Sequence, residues 1–316
     1  MKRFKNILLL FDEGARGEAA IERAATLARE NRAQLTVVEV IRELPADARR
    51  LVSVWRPLLL EDPQELVVRE RQEQLAQCVE SIRQQGAEGH TKVLVGDPFL
   101  EVTREVLRNA HDLVVMTAEG RCGFREWLFG ATSMHLMRKC PCPVWVVKPA
   151  QTERYARILA AVDTDPDDGS KDALNSTIME LATSLAQLEQ SELHVVHAWT
   201  MYGEQLLRHR GGATEDQVAS WLCEARDRHQ RALDRLLGKY DLTNLEHRIH
   251  LEKGEASAVI PKLAHAEQVE LIVMGTVCRT GIAGFFIGNT AEKILQEVDC
   301  SVLTVKPEGF VSPVKV

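Results

Sequence analysis

The sequence predicts an α/β protein made of two copies of one doubly wound domain, each with a five-stranded parallel sheet. Three observations carry that prediction. Short apolar runs of strand length alternate with helical patterns along the whole 316-residue chain, the signature of βα repeats around a parallel sheet. A glycine-bearing segment occurs twice: residues 113–137 (LVVMTAEGRCGFREWLFGATSMHLM) match residues 271–295 (LIVMGTVCRTGIAGFFIGNTAEKIL) at a constant offset of 158. The same offset carries Gly96 onto Gly254 and Lys148 onto Lys306, whereas residues 7–12 match residues 158–163 at 151, so the second copy has a net seven extra residues between its first two strands. The repeat is visible in the chain alone, and the length suits two domains of about 150 residues each.

Taken in order, residues 7–11 (ILLLF) are a continuous apolar run closed by Asp12, and Gly14 and Gly17 lead into a helical pattern over 19–31. A second β-rich run covers 35–40, so the chain opens β-α-β. Residues 43–85 are charged and mostly helical, with breaks at Pro45, Pro57 and Pro63. The third strand, 91–95, closes at Gly96-Asp97-Pro98, a turn that starts a helix over 99–109. The fourth strand, 113–116, precedes the first glycine loop and its helix, and the fifth is 143–148. The second half repeats the order: strand 158–162, helix near 172–187, strand 193–198, helices across 205–237, strand 246–251, helix 256–266, strand 271–274, helix 289–296, strand 301–306. The short polar stretch 149–154 separates domains 1–150 and 151–316 and leaves them close together. In doubly wound sheets ligands bind beyond the carboxyl ends of the strands, where the order reverses.

Composition excludes several classes. Hydrophobic content of 45% with 27% charged residues is that of a water-soluble globular chain, and no apolar run approaches a membrane span. The start MKRFKNILLLFDEG superficially resembles a secretory signal, but its apolar run stops after five residues and recurs internally at Ile158, which marks a strand. A net charge of −7 argues against nucleic-acid binding. Seven cysteines without framework spacing fit a reducing cytoplasm.

The second glycine segment is suited to holding an anion. Gly275 ends the fourth strand, Gly281, Gly284 and Gly288 keep the following chain close, and Asn289 reads as a helix N-cap with Glu292 as its capping-box partner. Free N–H groups there, with the helix dipole, favour a phosphate. The alternative is a tight strand-to-helix turn with no ligand; its recurrence in the first half weighs toward a site.

At these residues the chain resembles the universal stress protein family in its tandem form, over essentially its whole length. The family's nucleotide motif is Gly, two residues, Gly, nine residues, Gly, then Ser or Thr. The second half has Gly275, Cys278 in place of the second Gly, Gly288, and Asn289 in place of the hydroxyl residue; the first has Thr117, Gly120, Gly130 and Ala131. The resemblance implies a Rossmann-like domain with strand order 3-2-1-4-5. It also implies that ATP or another adenine nucleotide contacts the Asp ending the first strand and the backbone ending the second. Those positions are Asp12 and Val40 in the first half and Asp163 and Ala198 in the second. Magnesium is implied only together with a nucleotide. Family dimers pair along the fifth strand, so residues 144–147 and 302–305 are expected to join the halves into an internal pseudo-dimer, with a further homodimer left open. A β-carbon at Cys278 strains any positive-φ loop position by about 1–2 kcal/mol. Ala131 removes a donor and a cap that Thr132 or Ser133 could replace, and Asn289 keeps capping ability. The second half ranks as the better nucleotide site.

The remaining chemistry-bearing residues form no catalytic set. Asp163, Asp165, Asp167 and Asp168 would repel a triphosphate unless a divalent ion bridged them, and their spacing fails the EF-hand pattern, since Leu174 stands where Glu is needed. A solvated acidic loop is the plain reading. His194 and His197 point to opposite faces of one strand, as do His247 and His250, so neither pair chelates one metal. Cys140-Pro-Cys142-Pro is too tight for a zinc knuckle, and Cys140, Cys142 and Cys300 read as small core residues. Cys122 and Cys278, beside Arg121 and Arg279, are candidate redox-sensing thiols. The functional reading is a non-enzymatic stress-response regulator binding an adenine nucleotide through its second domain. The alternatives are an interaction scaffold with degenerate loops, binding no nucleotide or a different small anionic or partly apolar ligand near Trp127, Phe129, Phe285 and Phe286, and slow ATP hydrolysis through Asp163 and magnesium.

Overall fold

The computed structural model describes residues 4–12, 17–45, 47, 62–118, 129–148, 154–209, 212–276 and 288–316. They fall into two compact units: the first is built mainly from residues 1–153 with the terminal stretch Val311–Val316, the second from the chain between Arg154 and Phe310.

In the first unit, β1 (Asn6–Leu10), β2 (Gln34–Ile41), β3 (Gly89–Val95), β4 (Leu113–Thr117) and β5 (Val144–Val147) alternate with α1 (Glu18–Asn31), α2 (Pro63–Gln84), α3 (Pro98–Asn109) and α4 (Ala131–Lys139). All strand pairs are parallel, in the order β3-β2-β1-β4-β5. β4 and β5 are buried at every residue, because helices cover both faces of a parallel sheet, and this is why their sequences read as unbroken apolar runs. The edge strand β3 is mostly half-buried and mixes His90 and Lys92 with its valines.

The second unit repeats the plan. β6 (Arg157–Ala161), β7 (Glu192–Trp199), β8 (His247–Lys253), β9 (Leu271–Gly275) and β10 (Ser301–Val305) pair in parallel in the order β8-β7-β6-β9-β10. Between them run α5 (Asp172–Glu189), α6 (Glu204–His209), α7 (Glu215–Leu237), α8 (Ala256–Ala266) and α9 (Asn289–Glu297). A capping box at Thr214, reciprocated by Gln217, starts α7. The expected strand order is therefore present in each half, with its reversal between β1 and β4 and between β6 and β9.

The turn after the third strand is built identically in both copies. Gly96 has φ +146° and Gly254 φ +147°, backbone that side-chain-bearing residues avoid. A Cβ on Gly254 would also lie 3.0 Å from Val259 Cγ2. Gly254→Ala is expected to cost about 1–3 kcal/mol, read as a lower urea midpoint for the second unit's unfolding with an unchanged slope.

Candidate functional site

In the second unit the chain leaves β6 at Ala161, and Val162 N still donates to Val196 O (3.0 Å) before the backbone turns at Asp163. Asn175, buried on α5, holds that turn by both backbone groups: Asp163 N donates to Asn175 Oδ1 (2.9 Å), and Asn175 Nδ2 donates to Asp163 O (2.8 Å). Across the switch point, Thr276 N donates to Val305 O (3.2 Å) and Gly288 N to Thr276 O (2.8 Å). The two ends of the glycine loop are thus tied together at the carboxyl end of β9. Lys306, only 8% exposed, donates its Nζ to Thr276 Oγ1 (2.6 Å), which puts an ammonium group at the base of the loop.

Between these walls lies a cavity of about 130 Å³. Leu174, Ile178, Ile260, Met274 and Ile294 make its apolar lining, while Asp163, Lys171, Asn175, Thr276 and Thr290 supply polar groups. Of the second-half positions singled out in the sequence, Asp163, Ala198, Gly275 and Gly288 all line this one cavity. Cys278 lies outside the described residues. A Cβ at Gly275 would fall 2.7 Å from Leu174 Cδ2, so a larger residue there would have to displace the Leu174 side chain.

Asn289 is not the helix cap. The cap is Gly288, in extended backbone (φ −60°, ψ 141°), without a side-chain cap bond, and Asn289 is the first helical residue. The bond from Gly288 N to Thr276 O pins the boundary there, which moves Glu292 out of capping-box register; Thr290, not Asn289, lines the cavity. The acidic loop is largely exposed, as its plain reading has it, and its carboxylates are engaged locally. Lys171 Nζ donates to Asp163 Oδ2 (2.6 Å), Asp167 pairs with Arg228, and Asp165 Oδ1 accepts from Asp167 N (2.9 Å). Asp168 accepts from Ser170 N (3.0 Å), and these Ser170 hydrogen bonds lower its pKa. Local cations and backbone donors therefore satisfy the cluster without a metal ion, and the described residues contain no group of three or more potential metal ligands. Lys171, the cation inside the acidic run, was the one visible signal for this; nothing in the sequence marked Asn175 or Leu174.

In the first unit Asp12 follows β1 and is exposed, Val40 lies on β2, and Gly130 caps α4 in extended backbone. Thr117, at the first motif position, is buried. Ser133 Oγ donates to Gly130 O (3.0 Å) and so does not act as an N-cap acceptor. A cavity of about 480 Å³ opens here, lined by Arg42, Asp97, Phe99, Ala131, Thr132 and His135 among others; Asp12 and Val40 are not part of its lining. Gly120, Cys122, Arg121, Arg279, Trp127, Phe285 and Phe286 lie outside the described residues, whereas Lys148 Nζ stands 5.1 Å from the centre of the Phe129 ring.

The histidines of β7 each find a partner that same-strand reasoning overlooks. His197 Nε2 lies 2.9 Å from His229 Nδ1 on α7, and His194 Nδ1 lies 3.0 Å from His250 Nε2 on β8.

Comparison with known proteins agrees with this architecture. The family model described as "Universal stress protein family" matches residues 3–148 and again 154–306. The chain belongs to the universal stress protein family. Universal stress protein E of Escherichia coli (strain K12) is 33% identical over 219 residues, covering 69% of this chain and 68% of that one. The Universal stress protein E of Photorhabdus laumondii is 25% identical over 318 residues, covering 100% and 99%. Among solved structures, a functionally unknown protein from Pseudomonas aeruginosa PAO1 superposes with a TM-score of 0.71 at 24% identity over 98% of this chain and 95% of that one. A universal stress protein from Archaeoglobus fulgidus DSM 4304 gives 0.61 at 17% over 96% and 98%. Both share the tandem fold.

Burial lowers the pKa of His197 and of His229. A histidine kept neutral in the folded state binds its proton in the unfolded state first, so stability is full above pH about 6.5 and falls as pH drops through that value. Burial lowers His111, His135 and His250 in the same direction. Urea midpoints are expected to fall between about pH 7.5 and about pH 5.5, with a shallower dependence for the second unit in His229→Gln.

Proposed function

We propose that this universal stress protein is a ligand-responsive, non-enzymatic regulator of the cytoplasm whose second unit binds an adenine nucleotide. The observation that carries the reading is the convergence of Asp163, Ala198, Gly275 and Gly288 on one cavity at the strand-order reversal, where doubly wound sheets take their ligands. A cavity of about 130 Å³ suits a ring base, with sugar and phosphates at its polar rim. Two cations lie close: Lys171 in the cavity lining and Lys306 bonded to Thr276, which also lines it. The helix start at Gly288 adds N–H groups and a favourable dipole for a phosphate. Asp163 is already engaged by Lys171, which speaks for a ligand-ordering role and against a hydrolytic one.

The aliphatic lining supports a second reading, a small anionic ligand with a flat apolar body. Thr117, buried where the motif has glycine, favours a scaffold role for the first unit.

Thermal unfolding with ATP and magnesium tests the proposal, after nucleotide carried through purification has been excluded. A ligand at a hundred times its Kd adds about 2.7 kcal/mol, several degrees for one domain. The shift is expected in the parent and in Gly130→Trp and lost in Gly288→Trp. No shift with ATP, but one with an aromatic carboxylate, would transfer the site to the second reading. Lys171→Ala is expected to weaken ATP about tenfold, the scale of one charge-assisted hydrogen bond, and to leave adenosine affinity unchanged in titration calorimetry.

A further inference from the structure

The turn that joins α4 to β5 holds two thiols in contact. Cys140 Sγ and Cys142 Sγ are 3.5 Å apart. The chain anchors the pair on both sides: Cys140 N donates to Leu136 O (2.9 Å) at the end of α4, and Val114 N donates to Pro143 O (3.0 Å) just after Cys142. Pro141 fixes φ between them, and the backbone bends at Pro141 and Cys142. Cys140 is fully buried, and Cys142 is 9% exposed.

The duplication supplies an internal control. The same turn in the second unit reads Val298-Asp299-Cys300. Val298 ends α9 with φ −90° and ψ 139°, close to the φ −69° and ψ 133° of Cys140, and donates its N–H to Ile294 O (3.0 Å) as Cys140 does to Leu136. Val298 is also buried. A valine therefore meets every packing demand of the position, and Cys140 adds only its thiol, placed against a second one. The other described cysteines, Cys78, Cys223 and Cys300, lie at separate places along the chain.

We propose that Cys140 and Cys142 form an oxidative modification site, which a small hydroperoxide converts to an intramolecular disulfide. The thiolate of Cys142, the less deeply buried of the two residues, attacks the peroxide oxygen; the O–O bond breaks, the alcohol or water leaves with a proton, and Cys142 becomes a sulfenic acid. Cys140 sulfur then attacks the Cys142 sulfur, the S–O bond breaks, and a second water leaves with the Cys140 proton. Two thiols have lost two electrons, and the peroxide has taken them. The sulfurs must close from 3.5 Å to about 2.05 Å, a movement within reach of side-chain torsions. One residue between the cysteines makes a small, strained ring, so a thiol reductant reopens it. The contact with Cys140, followed by burial, pushes the Cys142 thiol well above its ordinary value, so the first step depends on thiolate supply and speeds up as pH rises.

The test uses the full-length protein treated with hydrogen peroxide at several pH values, unfolded in an alkylating agent and read by peptide mass spectrometry. The peptide carrying both cysteines is expected to lose two hydrogens, to resist alkylation until dithiothreitol is added, and to form the bond about tenfold faster per pH unit below the thiol pKa. In Cys140→Val, patterned on Val298, dimedone is expected to trap the sulfenic acid on Cys142, while the parent gives no such adduct. Two results would overturn the proposal: both thiols remaining alkylatable under peroxide that oxidises the exposed Cys223, or equal dimedone labelling in parent and variant. Should Cys140→Val fail to fold, the parent's two-hydrogen loss and its reversal decide alone.

Discussion

Everything at the second unit's site depends on one topological constraint, the reversal of strand order between β6 and β9. Because β6 pairs with β7 on one side and β9 on the other, the loops leaving β6 and β9 depart in opposite directions and open a crevice at their shared carboxyl ends. Asp163 comes from one wall and Gly275 from the other. The apolar sequences of these strands follow from the same constraint, since a central strand covered by helices on both faces has no side that water can reach. β3 and β8 escape it: β8 (HRIHLEK) is largely exposed and reads as an alternating polar segment.

Much of this was legible in the sequence. The repeat, the ten strands and the position of the crevice are written in local patterns: buried runs, glycines at turns, and the constant offset that pairs Gly130 with Gly288. What local patterns do not carry is the side-chain partner supplied from a distant element. The sequence reads the acidic stretch as a solvated loop but does not show that Arg228, 61 residues away, pairs with Asp167. The sequence sets His197 only beside His194 on its own strand, whereas its partner His229 comes from a helix packed over the sheet. The assignment of Asn289 as a cap failed for a related reason: residue type favours Asn at an N-cap, but the Gly288–Thr276 backbone bond, made across the loop, sets the boundary one residue earlier.

The two copies show how a duplicated scaffold diverges without changing shape. The positive-φ glycines Gly96 and Gly254 and the helix starts after Gly130 and Gly288 are held in common, because backbone geometry demands them. Residues near the carboxyl ends of the strands have drifted: Thr117 corresponds to Gly275, Arg42 to Thr200 and His135 to Lys293 at the repeat offset. The chain thus keeps two frames of one design with different chemistry at their mouths.

Asn175 gives the site a mechanical aspect. By bonding both the N–H and the C=O of Asp163, it leaves the first wall of the crevice no backbone freedom apart from α5 itself. An occupant that displaces Asp163 must drag the N-terminal turns of an 18-residue helix with it, and α5 is in turn packed along β6 and β9. The backbone that carries the Asp163 carboxylate is therefore tied to α5, and the packing of that helix on the sheet resists any displacement of the turn.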